Sequence, residues 1–196
     1  VHVVWQDECV QYSSCTVDGL TGLTAPDIFY RSLDGDQWSE VVSISSERED
    51  LIDGASNDPA IAISSDGILH VVWSDNGASD SLTDFDLYHR TLNTSTGVWT
   101  ESEIILDSDV IDAAPEIEIE DDGTIHIVFV RTDFSTDPLS VDVYHTSNNG
   151  IAWSTPLNVS SHAGDGLSSE PDFLVDDDGT VHITWQDTGT TTLSPS

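Results

Sequence analysis

The sequence predicts an all-β protein: a β-propeller-like array of four-stranded antiparallel blades, about three and a half in number and incomplete at both ends. Three observations carry this: an internal repeat at a constant step, Asp-Gly at hairpin positions, and apolar patterning with the period of strands rather than helices. The stretches DPAIAISSDGILHVVWSD, APEIEIEDDGTIHIVFVRTD and EPDFLVDDDGTVHITWQDT align without gaps. Pro59, Pro115 and Pro171 therefore recur every 56 residues, and Gly67, Gly123 and Gly179 keep the same interval. His70, His126 and His182 do so too, while His2 in VHVVWQD is a fourth copy, set 68 residues before His70 by a longer loop. A chain of 196 residues with 37% apolar content can bury the core such units need.

Each unit offers four short runs, a to d. Strand a alternates, as in AIAIS and EIEIE, where Glu116, Glu118 and Glu120 share one face. Strand b, as in HVVW and HIVF, is apolar at nearly every position, the pattern of a strand buried on both faces. Between them stand Asp66-Gly67, Asp122-Gly123 and Asp178-Gly179, the residues a tight hairpin turn needs for positive φ angles. Strand c opens at Asp27 in DIFYRS, Asp86 in DLYHRT and Asp142 in DVYHTS. Strand d is led by Trp38 in WSEVVSIS, Trp99 in WTESEIIL and Trp153 in WSTPLNVS.

The single domain, 1–196, thus divides into a partial blade 1–46, blades 58–106 and 114–160, a partial blade 170–187 and a polar tail 188–196. The first blade lacks strand a and the last lacks c and d, which makes head-to-tail strand exchange into an oligomer or filament an alternative outcome. A chain with no methionine that opens in mid-pattern reads as a processed product or as a segment of something longer.

Charge narrows the partners. With 37 Asp plus Glu against 4 Lys plus Arg, the net charge is -33 and no lysine occurs. Nucleic acid and anionic membranes would be repelled. No apolar run reaches the roughly 18 to 20 residues of a membrane span. A lysine-free, Asp-rich surface suits a high-salt environment, where cations screen self-repulsion. Cys9 and Cys15, in ECVQYSSCTVDG, are close enough in sequence to close a small covalent ring. The disulfide reading implies an extracellular or cell-surface location; free thiols or part of a metal site are the alternative. Two sequons, at Asn93 and Asn158, fit export and are the candidate glycosylation sites.

The segment Thr146-Ser147-Asn148-Asn149-Gly150-Ile151-Ala152-Trp153 matches the pattern Ser/Thr-x-Asp-x-Gly-x-x-Trp, with Asn148 in place of Asp. The copy from Ser32 to Trp38 is one residue short, and LNTSTGVW, ending at Trp99, is more degraded. On these residues, and on the recurring DG-x-hydrophobic-His-hydrophobic-hydrophobic-Trp pattern, essentially the whole chain resembles the sialidase-like Asp-box propellers, or bacterial neuraminidase repeats. The resemblance implies a propeller in which the Asp-box is a structural turn without chemistry of its own. It also implies what an active member needs: three arginines for a substrate carboxylate and a Tyr/Glu pair. Only Arg31, Arg48, Arg90 and Arg131 exist here, and Arg31 and Arg90 fall at the same place in successive c strands.

The remaining candidates come from the residues themselves. His2, His70, His126 and His182, with His89 and His145 standing where Tyr30 stands, recur in every unit and so read as packing residues; a ring of imidazoles for a transition metal is the sharper alternative. Calcium is the cofactor the acidic loops suit: Asp75, Asp80 and Asp84 follow strand b, and Asp107, Asp109 and Asp112 follow strand d. Oxygen-only, carboxylate-rich loops are what a hard cation requires, although no EF-hand order of ligands occurs, and solvated acids are the plainer reading. A phosphate loop with its lysine, a Ser-His-Asp elbow and zinc spacing are all missing, so no catalytic residue is assigned. The expected function is a non-catalytic extracellular binding or scaffold module, for adhesion, recognition or surface structure, meeting a protein or glycan partner through its b–c and d–a loops. The alternatives are a self-assembling subunit and a glycoside hydrolase of sialidase-like fold working with two carboxylates.

Overall fold

A computed structural model describes residues 1–7, 26–45, 54–77, 84–136, 139–160 and 166–188, with the backbone of 16–17 and 20–21. Cys9, Cys15, Arg48, Asp80 and the tail from 189 onward lie outside the described residues. Among those described, every regular element is a β-strand.

In the first sheet β1 (His2–Asp7) pairs with β4 (Asp27–Asp34), and β4 carries β5 (Gln37–Trp38) and β6 (Val42–Ser43) on its other edge. Between β1 and β4, β2 (Thr16–Val17) and β3 (Leu20–Thr21) form a small ladder of their own. The second sheet runs β7 (Ser56–Ile63), β8 (Ile68–Asp75), β9 (Asp86–Asn93) and β10 (Val98–Trp99), with β11 (Glu103–Leu106) also on β9. The third repeats this order with β12 (Ile111–Ile119), β13 (Ile125–Asp133), β14 (Ser140–Asn148) and β15 (Leu157–Asn158). The last holds β16 (Ser168–Val175) and β17 (Val181–Asp187). All ladders are antiparallel, in the order b-c-d, a-b-c-d, a-b-c-d, a-b: the incomplete blade array that the repeat predicts.

The core lies between sheets rather than within them, because a single sheet has nothing to bury its two apolar faces against. Ile28, Tyr30 and Ile44 of the first blade meet Leu69, Val71, Trp73 and Leu92 of the second. Val72 and Leu87 then meet Ile117, Ile125, Ile127 and Phe129 of the third, and Val128 and Val143 meet Phe173 of the fourth. Consecutive residues of β8 therefore serve opposite seams, Val71 one and Val72 the other, which explains why strand b is apolar at nearly every position of its centre.

Two local features depart from simple alternation. The conserved step of 56 residues also governs a bulge: the register of each a–b ladder shifts at Asp58-Pro59, Ala114-Pro115 and Glu170-Pro171. The residue before each proline takes a left-handed φ, of 52°, 49° and 50° respectively. A proline has no N–H for the ladder, so the bulge removes it from pairing. The a–b turns also differ from the tight Asp-Gly turn expected. Gly67 donates its N–H to Ser64 O at 3.0 Å while Ser64 N donates to Ile68 O at 2.9 Å, and the turns at Gly123 and Gly179 repeat this. Only the glycine has positive φ (82°, 90° and 77°), which is a three-residue loop closed by a glycine bulge.

Candidate functional site

Stacked ring pairs cross the b–c ladder in three blades. His2 Nδ1 lies 2.8 Å from the Tyr30 hydroxyl, His70 Nδ1 lies 3.0 Å from His89 Nε2, and His126 Nδ1 lies 3.0 Å from His145 Nε2. The interplanar angles are 19°, 17° and 22°. A carboxylate completes two of them: Glu103 on His89 at 2.9 Å and Glu120 on His126 at 2.7 Å. His182 instead meets Asp176 at 2.9 Å. The tryptophan leading strand d stands edge-on to the c-strand ring of the preceding blade, Trp99 on Tyr30 and Trp153 on His89, both at 81°. Trp38 is exposed and lies under the Arg31 guanidinium.

The arginines are equally committed. Arg31 donates to Ser39 O and Arg90 to Thr100 O, each at 2.7 Å and each stacked over its own blade's tryptophan. Arg90 also reaches Ile44 O of the first blade at 2.9 Å. Arg131 forms a bidentate pair with the fully buried Asp112, both bonds 2.7 Å.

Acids collect at the end of the array where the b–c and d–a connections run, between the second and third blades. Asp75 accepts from Ser56 Oγ and Trp73 Nε1 on one oxygen and from Gly77 N on the other. Asp112, besides Arg131, accepts from Ser108 Oγ, and its carbonyl takes the Ser74 hydroxyl. Asp86 accepts from Ser108 N, but burial pushes its carboxyl up to about 6 against that bond, helped by the neighbouring charges of Asp107, Asp84 and Asp112. Asp107 is exposed; Asp109, also exposed, lines with Asp133 and Phe134 a cleft of about 300 Å³.

Of the calcium candidates, Asp84, Asp107 and Asp112 thus act on Asp86 through their charge, whereas Asp75 and Asp112 already spend their oxygens on protein donors. Among the described residues no group of three or more His, Cys, Asp or Glu side chains is arranged to hold a metal ion. A second acidic cleft, of about 410 Å³, lies between the a–b turns of the third and fourth blades and is lined by Glu118, Glu120, Asp122, Asp176 and Asp178. The sequon residues differ. Asn158 is bound at both ends of its amide, to Tyr144 and Ser160, and Asn93 caps the c–d turn through Ser95 N and Thr96 N. In the third c–d turn Asn148 Oδ1 accepts from Gly150 N at 2.8 Å.

The roles of two groups at this end escaped the sequence reading, which named Asp86 only as the start of a strand and Asp112 only as a calcium candidate, although the repeat carried their signal. Asp86 belongs to a position held by Asp27 and Asp142 in the other c strands. The Asp112–Arg131 pair stands where the second and fourth blades have Ser56–Asp75 and Ser168–Asp187, so the alignment exposes it as a paired exchange.

No family model and no curated protein matches the chain. Solved structures do. A protein of unknown function from Dyadobacter fermentans is similar over 89% of this chain and 55% of its own, at 16% identity and a TM-score of 0.61. A polysaccharide lyase, an ulvan lyase bound to -[GlcA(1-4)Rha3S]-, is similar over 83% and 48%, at 17% identity and a TM-score of 0.59. The chain spans about half the length of these structures. At such identities the likeness is one of fold, and the class it defines together with the sheets above is a propeller-type array of β-blades. No helix of the described residues is long and apolar enough to cross a membrane.

Proposed function

We propose that this chain is part of a non-catalytic, strongly acidic propeller of Asp-box type that acts outside the cell as a binding or scaffold module, in adhesion, recognition or surface structure. The observation that carries this reading is the commitment of its cations and imidazoles. The described arginines hold backbone carbonyls, tryptophan faces or a buried aspartate, and His70, His89, His126 and His145 are paired inside the sheets. Groups of the kind that grip an acidic sugar or abstract a proton are here used to join strands. A net charge of -33 further opposes an anionic polysaccharide. Similarity of fold to a lyase carries no activity with it.

Recognition then falls to the b–c and d–a loops, for a protein or neutral glycan partner. The test is a panel of sulfated, sialylated and neutral glycans assayed for both binding and product release. Binding without turnover is expected; turnover abolished by replacing one specific acid would overturn the reading. Sedimentation in high salt gives monomers on this reading, and a polymer series would transfer the function to self-assembly. For the oxidising compartment, thiol titration under denaturing conditions should find neither Cys9 nor Cys15 free. Cation dependence belongs to the same proposal, since the charges crowding Asp86 would be relieved by a cation. Millimolar calcium should raise Tm beyond sodium at matched ionic strength; equal responses leave only screening.

A further inference from the structure

The histidine pairs differ in a way that fixes where their protons sit. A neutral imidazole has one N–H, and the carboxylate takes it. In the second blade His89 must carry its proton on Nδ1, toward Glu103, so its Nε2 accepts and His70 donates from Nδ1. In the third blade the direction reverses: His126 donates from Nε2 to Glu120, its Nδ1 accepts, and His145 donates from Nε2. One additional proton fits either chain, because the imidazolium beside the carboxylate donates from both nitrogens to a neutral partner. A second does not fit. With both rings charged, N–H meets N–H across 3.0 Å, and two cations are stacked with centroids 5.2 Å apart in the second blade.

The first blade supplies an internal contrast. There the c-strand ring is Tyr30, whose hydroxyl rotates and can accept from a charged His2 as readily as it donates to a neutral one. Both c-strand rings are footings for the next blade, Tyr30 for Trp99 and His89 for Trp153. We propose that the His70–His89 pair is an acid-released catch on the seam between the second and third blades: it holds one proton, parts at the second, and frees Trp153 while the Tyr30–Trp99 seam stays closed.

The charges facing the pair come from its own blade, Asp66 in the a–b turn and Glu103 on β11. β7 places Ala62 opposite His70, and the third blade brings Trp153 against His89, neither of which titrates. Arg90, next along β9, turns to the first blade instead. Burial and the neighbouring ring drive His70 down to about 4, and burial lowers His89, against the raising effect of Glu103. Both therefore sit below the ordinary 6.5 in the closed seam, so the open seam binds protons more tightly. Closure is strongest above that value and weakens as pH falls toward about 4.

The test is hydrogen-exchange protection, segment by segment, from about pH 7 to about pH 4 in about 1 M salt. Protection across β9, β11 and the Trp153 segment should fall on acidification before protection across β4 does. His89→Tyr rebuilds the first-blade arrangement and should abolish that early loss. Long-range proton–nitrogen NMR of the native chain should show Nδ1–H on His89 and Nε2–H on His126. An early loss that persists in H89Y, simultaneous opening of both seams, or the same tautomer on both of those rings would overturn the proposal. If H89Y does not fold, the NMR and the order of opening in the native chain decide.

Discussion

Asp112 and Arg131 show how one position can be solved twice in the same chain. Arg131→Met leaves the fully buried Asp112 charge unpaired and should cost roughly 3–5 kcal/mol by denaturant unfolding. The double change Asp112→Ser with Arg131→Asp installs the Ser–Asp pair of the second blade, bonded there at 2.6 Å, and should recover part of that loss. Recovery of nothing would mean that the third blade needs the charge pair itself. Asp86 and His70 oppose each other in pH dependence. Asp86, raised from 3.8 to about 6, binds its proton more tightly when folded, so its contribution is present at low pH and lost as pH rises through about 6. His70, lowered from 6.5 to about 4, contributes above 6.5 and loses its contribution as pH falls toward 4. Over the shared window the two offset one another, so Asp86→Asn should steepen the acid loss of Tm; an unchanged slope would show that Asp86 does not titrate there.

At the scale of elements, the b strand is the joint of the array, because its two faces belong to different cores. Ile127 is fully buried against the second blade while its neighbour Val128 serves the fourth. Ile127→Ala should cost about 2–5 kcal/mol, and more than truncation of the exposed Ile104 on β11. Equal costs would argue that the seams do not carry the stability. The 56-residue period, the strand order within each blade and the apolar character of β8 and β13 were all legible in the residues. The bulges were not. Pro59, Pro115 and Pro171 marked the place, but a left-handed φ at the residue before each follows from ladder geometry, which local propensity tolerates at Asp58 and disfavours at Ala114 and Glu170.

For the whole molecule the governing number is the charge. A net -33 on a chain that folds by stacking thin sheets sets self-repulsion against seam packing. Raising sodium chloride from about 0.1 M to about 1 M shortens the screening length from about 10 Å to about 3 Å and should raise Tm steadily, with no such gain in a variant whose loop acids are amidated. A Tm independent of salt would mean that the surface charges are too far apart to matter.

Repetition along the chain was enough to settle the blade architecture and its sign of charge, since a period and a composition are properties of residues in order. That Trp153 rests on His89 was settled by blades packing against one another, whereas which carboxylate each histidine pair leans on and why Asp86 holds its proton near pH 6 were settled by how strands and connections place side chains within and beside a blade. Burial and seam contacts arise between residues far apart in the chain, and even the contacts inside one repeat, such as His126 with Glu120, depend on how a turn or strand edge places the side chain rather than on the pattern of residues.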